Sequence, residues 1–120
     1  MWIYHQSTGE LYHDNSFEGG GYSGHGEGVN NPAMQNVRMV GPIPVGLYVF
    51  GPFGDNPPMG PISSHLIPDP ANVMFGRSGF LMHGDNSLDN ESGSEGCIVM
   101  GRAIRQAVAD SGDRSLTVVE

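Results

Sequence analysis

Short stretches of alternating apolar and polar residues predict several β-strands in this chain. The segment WIYHQSTGELYHD predicts two strands, at about residues 2–6 and 10–13, joined by a Ser-Thr-Gly turn. GPIPVGLYVFGPF predicts a turn and then a strand at about residues 46–51, where β-branched and aromatic side chains suit a pleated surface. A short apolar strand at about residues 80–83 and a final strand in SLTVVE complete a pattern that favours a mainly β fold.

One segment, GRAIRQAVADSG, has the periodicity of a helix. Ile104 and Val108 lie four residues apart on one face, and Gly112 is placed to cap the C-terminus. The long Gly-rich and Pro-rich stretches NSFEGGGYSGHGEGVNNPAMQNV and GDNPPMGPISSHLIPDPANVMFGRSG show no regular period and are predicted as surface loops. We therefore expect a single mainly β domain over residues 1–120 with one C-terminal helix.

The strongly negative net charge of the chain argues against polyanionic partners. Thirteen Asp and Glu against five Arg and no Lys give a net charge of −8. Such a chain repels phosphate backbones and anionic lipid surfaces, so nucleic acid is not an expected partner. No apolar run approaches the roughly 20 residues needed to span a bilayer, so membrane insertion is not expected either.

Candidate chemistry is concentrated in GFLMHGDNSLDNESGSEGCIVMGR, residues 79–102. It holds the single cysteine, Cys97, and His83 lies fourteen positions upstream at the end of a predicted strand. A cysteine becomes a nucleophile when an imidazolium or a helix N-terminus favours its thiolate, and neighbouring strands can bring these two side chains together. Gly96 leaves room for a substrate, and nearby backbone N–H groups can polarise an acyl carbonyl. The alternative, a small buried hydrophobic side chain before Ile-Val-Met, stays open.

This pattern of His-Gly, polar loop and Ser-x-Gly-Cys-Ile resembles the L,D-transpeptidase catalytic domain of the YkuD type. The match is closer to a family of secreted L,D-transpeptidase-like toxins that type VI secretion systems deliver, long described as a domain of unknown function. Three blocks that cover most of the chain carry it: YSGHGEGVNNPAMQN, GPIPVGLYVF and FLMHGDNSLDNESGSEGCIVMGRAIRQAVADSGDRSLTVV. The resemblance implies a YkuD-like β-sandwich or sheet with the helix packed beside Cys97.

The resemblance also implies roles for individual residues. Cys97 would be the acyl-accepting nucleophile and His83 its general base; the backbone carbonyl of Gly84 would orient the imidazole, and Ser94 and Gly96 would shape the nucleophile turn. The implied substrate is a peptidoglycan stem tetrapeptide, whose third residue, diaminopimelate, is attacked at its carbonyl with release of D-Ala. Attack by water on the thioester would give L,D-carboxypeptidase activity. Attack by a D-amino acid or by a second stem would give L,D-transpeptidase activity. The resemblance implies no metal and no organic cofactor.

The chain departs from typical YkuD enzymes at two positions. Glu95 stands where they carry a second His, and Val99 where many carry Arg or Asn; the spacing from His to Cys is also shorter. These departures agree with the toxin branch and leave the balance between transfer and hydrolysis open. We expect Glu95 to face the substrate groove or solvent, because an inward carboxylate would oppose ionisation of the thiol.

Four further residues are candidate substrate contacts. His25 lies in the Gly-rich loop that the resemblance places near the cleft, and Asp85 directly follows the His-Gly pair. Arg77 and Arg102 can pair a substrate carboxylate bidentately. The ordinary alternatives are an exposed loop side chain for His25 and an internal ion pair for either arginine.

Metal binding is not expected. The five histidines share no short ligand spacing, and a single Cys argues against a structural zinc site. Asp85, Ser87 and Asp89 occupy alternate positions of a calcium-loop pattern. That pattern fails at its sixth position, Asn90, where Gly is expected, and at its twelfth, Gly96, where a bidentate Glu is needed.

Two alternative functions compete with the acyltransferase. In papain-like and NlpC/P60-type peptidases the nucleophile normally precedes its histidine, whereas here no histidine follows Cys97. A catalytically silent cell-wall-binding or phage structural module would keep the fold alone, although it gains nothing from a reactive thiol.

Delivery and partners follow from the resemblance and from the first residues. MWIYHQSTGELYH has neither a basic region nor a continuous apolar stretch, so we expect no secretory signal. This predicts an effector exported by a secretion apparatus, or a phage-encoded lysis factor, that acts in the periplasm of a target bacterium. A producing cell would then need a periplasmic immunity protein, and an acidic groove would suit a basic partner.

Overall fold

The fold is known from a computed structural model, which describes residues 1–57, 59–84 and 96–120. Within these ranges the chain forms nine strands, one α-helix, and 3-10 turns at Gly26–Gly28 and Pro32–Met34. The elements are β1 (Trp2–His5), β2 (Glu10–His13), β3 (Ser16–Gly20), β4 (Tyr22–Ser23), β5 (Gly46–Phe50), β6 (Ser64–Pro68), β7 (Leu81–His83), β8 (Ile98–Val99), α1 (Arg102–Ser111) and β9 (Ser115–Val119).

The described strands form one curled sheet in the order β3-β2-β1-β9-β5-β6-β7-β8-β4. Its outermost strands, β3 and β4, are separated along the chain only by Gly21. A sheet whose two edges are joined by one residue has to bend back on itself, so it is nearly closed. Gly21 is required at this join because a Cβ there would collide with the carbonyl oxygen of Val99.

The predicted hairpin and closing strand are confirmed and lie side by side. β1 and β2 pair antiparallel, with Ile3 opposite Tyr12. β9 inserts between β1, to which it is parallel, and β5, to which it is antiparallel. The alternation in SLTVV follows from this central position, since Leu116 and Val118 point into the core while their neighbours are half-buried.

In the described part of the chain, one apolar cluster fills the inside of the curled sheet, as expected for a mainly β domain. Its largest fully buried members include Trp2, Tyr4, Phe50 and Met82. Helix α1 adds Val108, and Gly112 caps it with the predicted left-handed backbone at φ 70°. In the described ranges, no helix is both long and apolar enough to cross a membrane.

Two segments predicted as loops contain strands, so those predictions were wrong. β3 and β4 lie in the Gly-rich stretch. β3 is exposed along most of its length, so its residues do not alternate between apolar and polar. β6 lies in the Pro-rich stretch and buries Ser64 and Leu66 alternately. The polar identity of Ser64, whose hydroxyl donates to the carbonyl of Gly51 at 2.8 Å, hid the strand pattern.

Candidate active site

The parallel pairing of β7 and β8 brings Cys97 and His83 onto one face of the sheet. Met82 lies opposite Ile98, and His83 lies opposite Val99. Continued back by one residue, this register sets Cys97 opposite Leu81, whose backbone N–H donates to Sγ at 3.4 Å. Because alternate strand residues share a face, Cys97 and His83 are diagonal neighbours.

The imidazole of His83 is oriented by a hydrogen bond to the backbone of the next residue. The side chain is buried, and Nδ1 lies 2.6 Å from the carbonyl oxygen of Gly84. A carbonyl oxygen only accepts, so Nδ1–H donates in this contact and Nε2 is the basic nitrogen of the neutral ring. The proximity agrees with the orienting role expected for the Gly84 carbonyl, and that catalytic role stays a prediction.

The turn before Cys97 is tightly enclosed. Gly96 is buried and adopts a φ of 130°, a conformation that side-chain-bearing residues rarely enter. A Cβ at Gly96 would also collide with the guanidinium of Arg77 and with the ring of Phe80. Only glycine therefore lets the backbone lie this close to these two side chains, while Cys97 itself stays partly exposed.

Ser23 anchors this turn, and sequence reasoning missed it. The side chain is fully buried in β4; its hydroxyl donates to the carbonyl of Gly96 at 2.9 Å and accepts from the N–H of Ile43 at 2.9 Å. The partners are 73 and 20 residues away along the chain. The only local signal was the place of Ser23 in the YSGHGEG block, which does not reveal a contact of such range.

Arg77 lies beside Cys97 and lines the same pocket. Its buried guanidinium donates to the backbone carbonyls of Gln35, Gly41 and Pro42 and stacks over the Phe80 ring at 5.1 Å. Burial lowers the pKa of Arg77, and the interactions with Tyr48 and Cys97 act in the opposite direction. A cation near enough to interact with Cys97 favours the ionised form of the thiol. The carboxylate-binding role of Arg77 stays a prediction.

Arg105 braces the opposite side and was also missed. Its guanidinium donates to the carbonyls of Met100, Pro61 and Ile62, each at 3.0 Å. It also lies against Gly84, where an added Cβ would come within 2.8 Å of it. Helix α1 is thereby tied both to the loop before β6 and to the residue that contacts the His83 ring.

These groups surround an open pocket of about 480 Å³. The pocket is lined by Met59, residues 38–39 and 76–80, His83 and Cys97. Three of the sequence-predicted site residues, Cys97, His83 and Arg77, therefore share one pocket, whereas its rim residues Arg38 and Met39 were not anticipated.

Two other predicted site residues, His25 and Arg102, lie outside this pocket. His25 and Arg102 are exposed, the first before a 3-10 turn and the second at the start of α1, and neither lines this pocket. The predictions for Ser94, Glu95 and Asp85 fall outside the described residues.

A separate group of side chains has metal-ligand chemistry. Within the described residues, ligand atoms of His13, Asp14 and Asp113 lie within 4.8 Å of one another. The N-terminal ammonium of Met1 donates to both carboxylates and so supplies the positive charge there. Its hydrogen bond, followed by that of His13, holds the pKa of Asp113 well below its usual range.

The fold and pocket together define a small curled β domain that presents a thiol and an imidazole to one open cavity. Residues 18–119 match the Tlde1 domain. The chain therefore belongs to the Tlde1 domain family, which is a family of type VI secretion effectors. No curated protein and no solved structure matches the chain.

The shared pocket predicts an activated thiol. We expect iodoacetamide to alkylate Cys97 with a midpoint well below pH 8.5, about where an ordinary thiol ionises. Replacing His83 by Gln removes the base that accepts the thiol proton and then stabilises the thiolate as its imidazolium partner, so the midpoint should rise. The measurement is the alkylation rate as a function of pH, followed by mass spectrometry.

His65→Gln is the matched control for this experiment. His65 is exposed on β6, opposite Leu81 in the register, and it does not line the pocket. Its variant should alkylate as the unmodified protein does. An ordinary thiol profile in the unmodified protein, unchanged by His83→Gln, would contradict the activation of Cys97.

Proposed function

We propose that the protein is a peptidoglycan-modifying cysteine acyltransferase that acts on stem tetrapeptides. The observation that carries this proposal is that Cys97 and His83 share the wall of one pocket. Membership of an effector family supports it, because attack on a polymer of the target cell is a way to harm that cell. The activity would be that of an L,D-carboxypeptidase, an L,D-transpeptidase, or both.

The proposed reaction is acyl transfer through a thioester. His83 Nε2 takes the proton of the Cys97 thiol, and the thiolate attacks the carbonyl carbon of diaminopimelate, the third residue of the stem. The tetrahedral intermediate breaks its bond to the D-Ala nitrogen, and the His83 imidazolium protonates the departing amine. The acyl group is then bound to Sγ, and His83 is neutral again.

The second half of the reaction repeats these roles with a different nucleophile. His83 takes a proton from water or from the amine of an acceptor, which attacks the thioester carbonyl and restores the Cys97 thiol. Water yields a tripeptide stem. A D-amino acid yields an exchanged stem, and a second stem yields a 3-3 cross-link. An open pocket suits this scheme, since an acceptor has to reach the thioester while the donor stem is still bound.

Three features of the described residues support these assignments. The Nδ1–H donation from His83 to the carbonyl of Gly84 leaves Nε2 as the proton-accepting atom. The guanidinium of Arg77 interacts with Cys97 and favours its thiolate. Ser23 fixes the carbonyl of Gly96 and with it the peptide that leads into the nucleophile.

The proposed place of action is the periplasm of a target bacterium, because stem peptides of the cell wall are exposed there. Delivery would use a type VI secretion apparatus, in line with the family. A producing cell would be protected by a periplasmic immunity protein, for which the net charge of −8 favours a basic contact surface.

The first test of this function is mass spectrometry of purified disaccharide-tetrapeptide after incubation with the protein. We expect loss of D-Ala, and replacement of D-Ala by D-Met when D-methionine is added. Because both steps pass through Sγ, Cys97→Ala should reduce turnover by at least about 10³-fold.

Folding of the Cys97→Ala variant is checked by circular dichroism, so that lost activity is not lost structure. An unchanged tetrapeptide with both folded proteins would contradict the acyltransferase and favour a silent wall-binding module. Equal turnover by both proteins would contradict the role of Cys97.

The second test concerns the compartment. Fused to a periplasmic signal sequence and induced in a sensitive bacterium, the protein should cause cell rounding or lysis. Without the signal sequence it should be tolerated, because its substrate is out of reach. Periplasmic Cys97→Ala at equal abundance should be harmless, and growth inhibition from the cytoplasm alone would contradict a periplasmic target.

A further inference from the structure

The arginines of this acidic chain are not equally available to a ligand. Arg77 and Arg105 each donate to three backbone carbonyls, and Arg114 donates to the carbonyl of Phe50. Arg102 is exposed on α1, away from the pocket. Arg38 is exposed and lines the pocket. Among the described residues, Arg38 has neither an ion pair nor a side-chain hydrogen bond.

The loop that carries Arg38 is fixed at its base. Arg77 donates to the carbonyls of Gln35, Gly41 and Pro42, which lie on both sides of Arg38 in the sequence. A second closure lies within the loop, where the N–H of Gly41 donates to the carbonyl of Val37 at 2.9 Å. Residues 38–39 are therefore the tip of a clamped loop.

The backbone at this tip is held in a sparsely populated conformation. Met39 has a φ of 64°, in the left-handed region that non-glycine residues seldom enter, and 55% of its surface is exposed. Strained residues persist where the surroundings determine them and where a function uses them. Here the turn directs Arg38 and Met39 to the rim of the pocket that holds the thiol.

The pocket therefore combines three kinds of surface. The reacting groups Cys97 and His83 form one part, apolar side chains that include Met39 and Phe80 form another, and the guanidinium of Arg38 lies at the rim. The net charge of −8 repels an anionic ligand from the protein as a whole. The positive charge of Arg38 attracts such a ligand to the pocket. A guanidinium pairs a carboxylate through two parallel hydrogen bonds.

We propose that Arg38, at the tip of the clamped loop, binds a carboxylate of the substrate and so sets which stem peptides are accepted. This inference rests on the proposed function and extends it to the recognition of the substrate. Two carboxylates belong to the residues on either side of the bond that is cleaved: the C-terminal carboxylate of D-Ala and the side-chain carboxylate of diaminopimelate. The role is one of binding, with no part in proton transfer.

Steady-state kinetics with the tetrapeptide test this role. Arg38→Gln should raise KM about tenfold, the loss expected for a charge-assisted pair, with kcat within about twofold. Arg38→Lys should recover only part of the loss, because an ammonium keeps the charge without the planar fork. Ala107→Glu, on the exposed side of α1, lowers the net charge by the same single unit and should leave KM unchanged.

Two modified substrates identify the carboxylate. One tetrapeptide carries an amide at its C-terminus, and the other carries an amide on the diaminopimelate side chain. With the modification that removes the partner of Arg38, the unmodified protein and Arg38→Gln should have equal KM values. If Arg38→Gln keeps the KM of the unmodified protein for every substrate, the assignment is wrong.

A binding measurement separates this inference from the proposed reaction. In the Cys97→Ala background, isothermal titration with the tetrapeptide should show about tenfold weaker binding when Arg38→Gln is added. If the unmodified protein turns over no tetrapeptide and this difference is still present, the reaction fails and the carboxylate site stands. No binding, or equal binding by both variants, overturns the carboxylate site.

Discussion

The buried guanidinium of Arg77 holds the walls of the pocket together. It donates to three carbonyls of the loop at residues 35–42, covers the ring of Phe80 and occupies the space that a side chain at position 96 would need. A buried cation is costly unless its donors are satisfied, and satisfied carbonyls lose partners if the cation is removed. The loop at residues 35–42, the turn at Gly96 and the ring of Phe80 therefore depend on one another for their positions.

Backbone carbonyls take the place of acidic side chains as arginine partners throughout the site. Arg105 holds the loop before β6 by donating to its carbonyls, just as Arg77 holds the loop at residues 35–42. Buried amides and hydroxyls act in the same way: Gln6 donates to the carbonyl of Ile43 at 2.8 Å, and Ser23 donates to the carbonyl of Gly96. In a curled sheet with long Gly-rich and Pro-rich connections, such side-chain to backbone bonds order segments that have few apolar residues to bury.

Secondary-structure elements could be predicted from the sequence where their apolar residues recur at the spacing of a strand or a helix. The β1–β2 hairpin, β5, β7, β9 and α1 were predicted because apolar residues recur there at strand or helix spacing. β3 was missed because it is mostly exposed and ends in two glycines, and β4 was missed because two residues are too few to show a period. In the site, His83 and Cys97 were singled out by chemistry and order along the chain. Ser23 and Arg105 were missed because their importance comes from long-range contacts that no local pattern reports, and Arg38 was missed because only the fold brings it to the pocket.

The central claim is that Cys97 carries the acyl group between donor and acceptor. Intact-protein mass spectrometry tests it most directly, with protein in excess over disaccharide-tetrapeptide and acid quenching at successive times. We predict a transient adduct on the protein with the mass of the substrate minus D-Ala; digestion of the quenched sample should place it on the peptide that contains Cys97, and added D-methionine should discharge it. Release of D-Ala with no adduct on Cys97 at any time, while the added D-methionine is still incorporated, would contradict it.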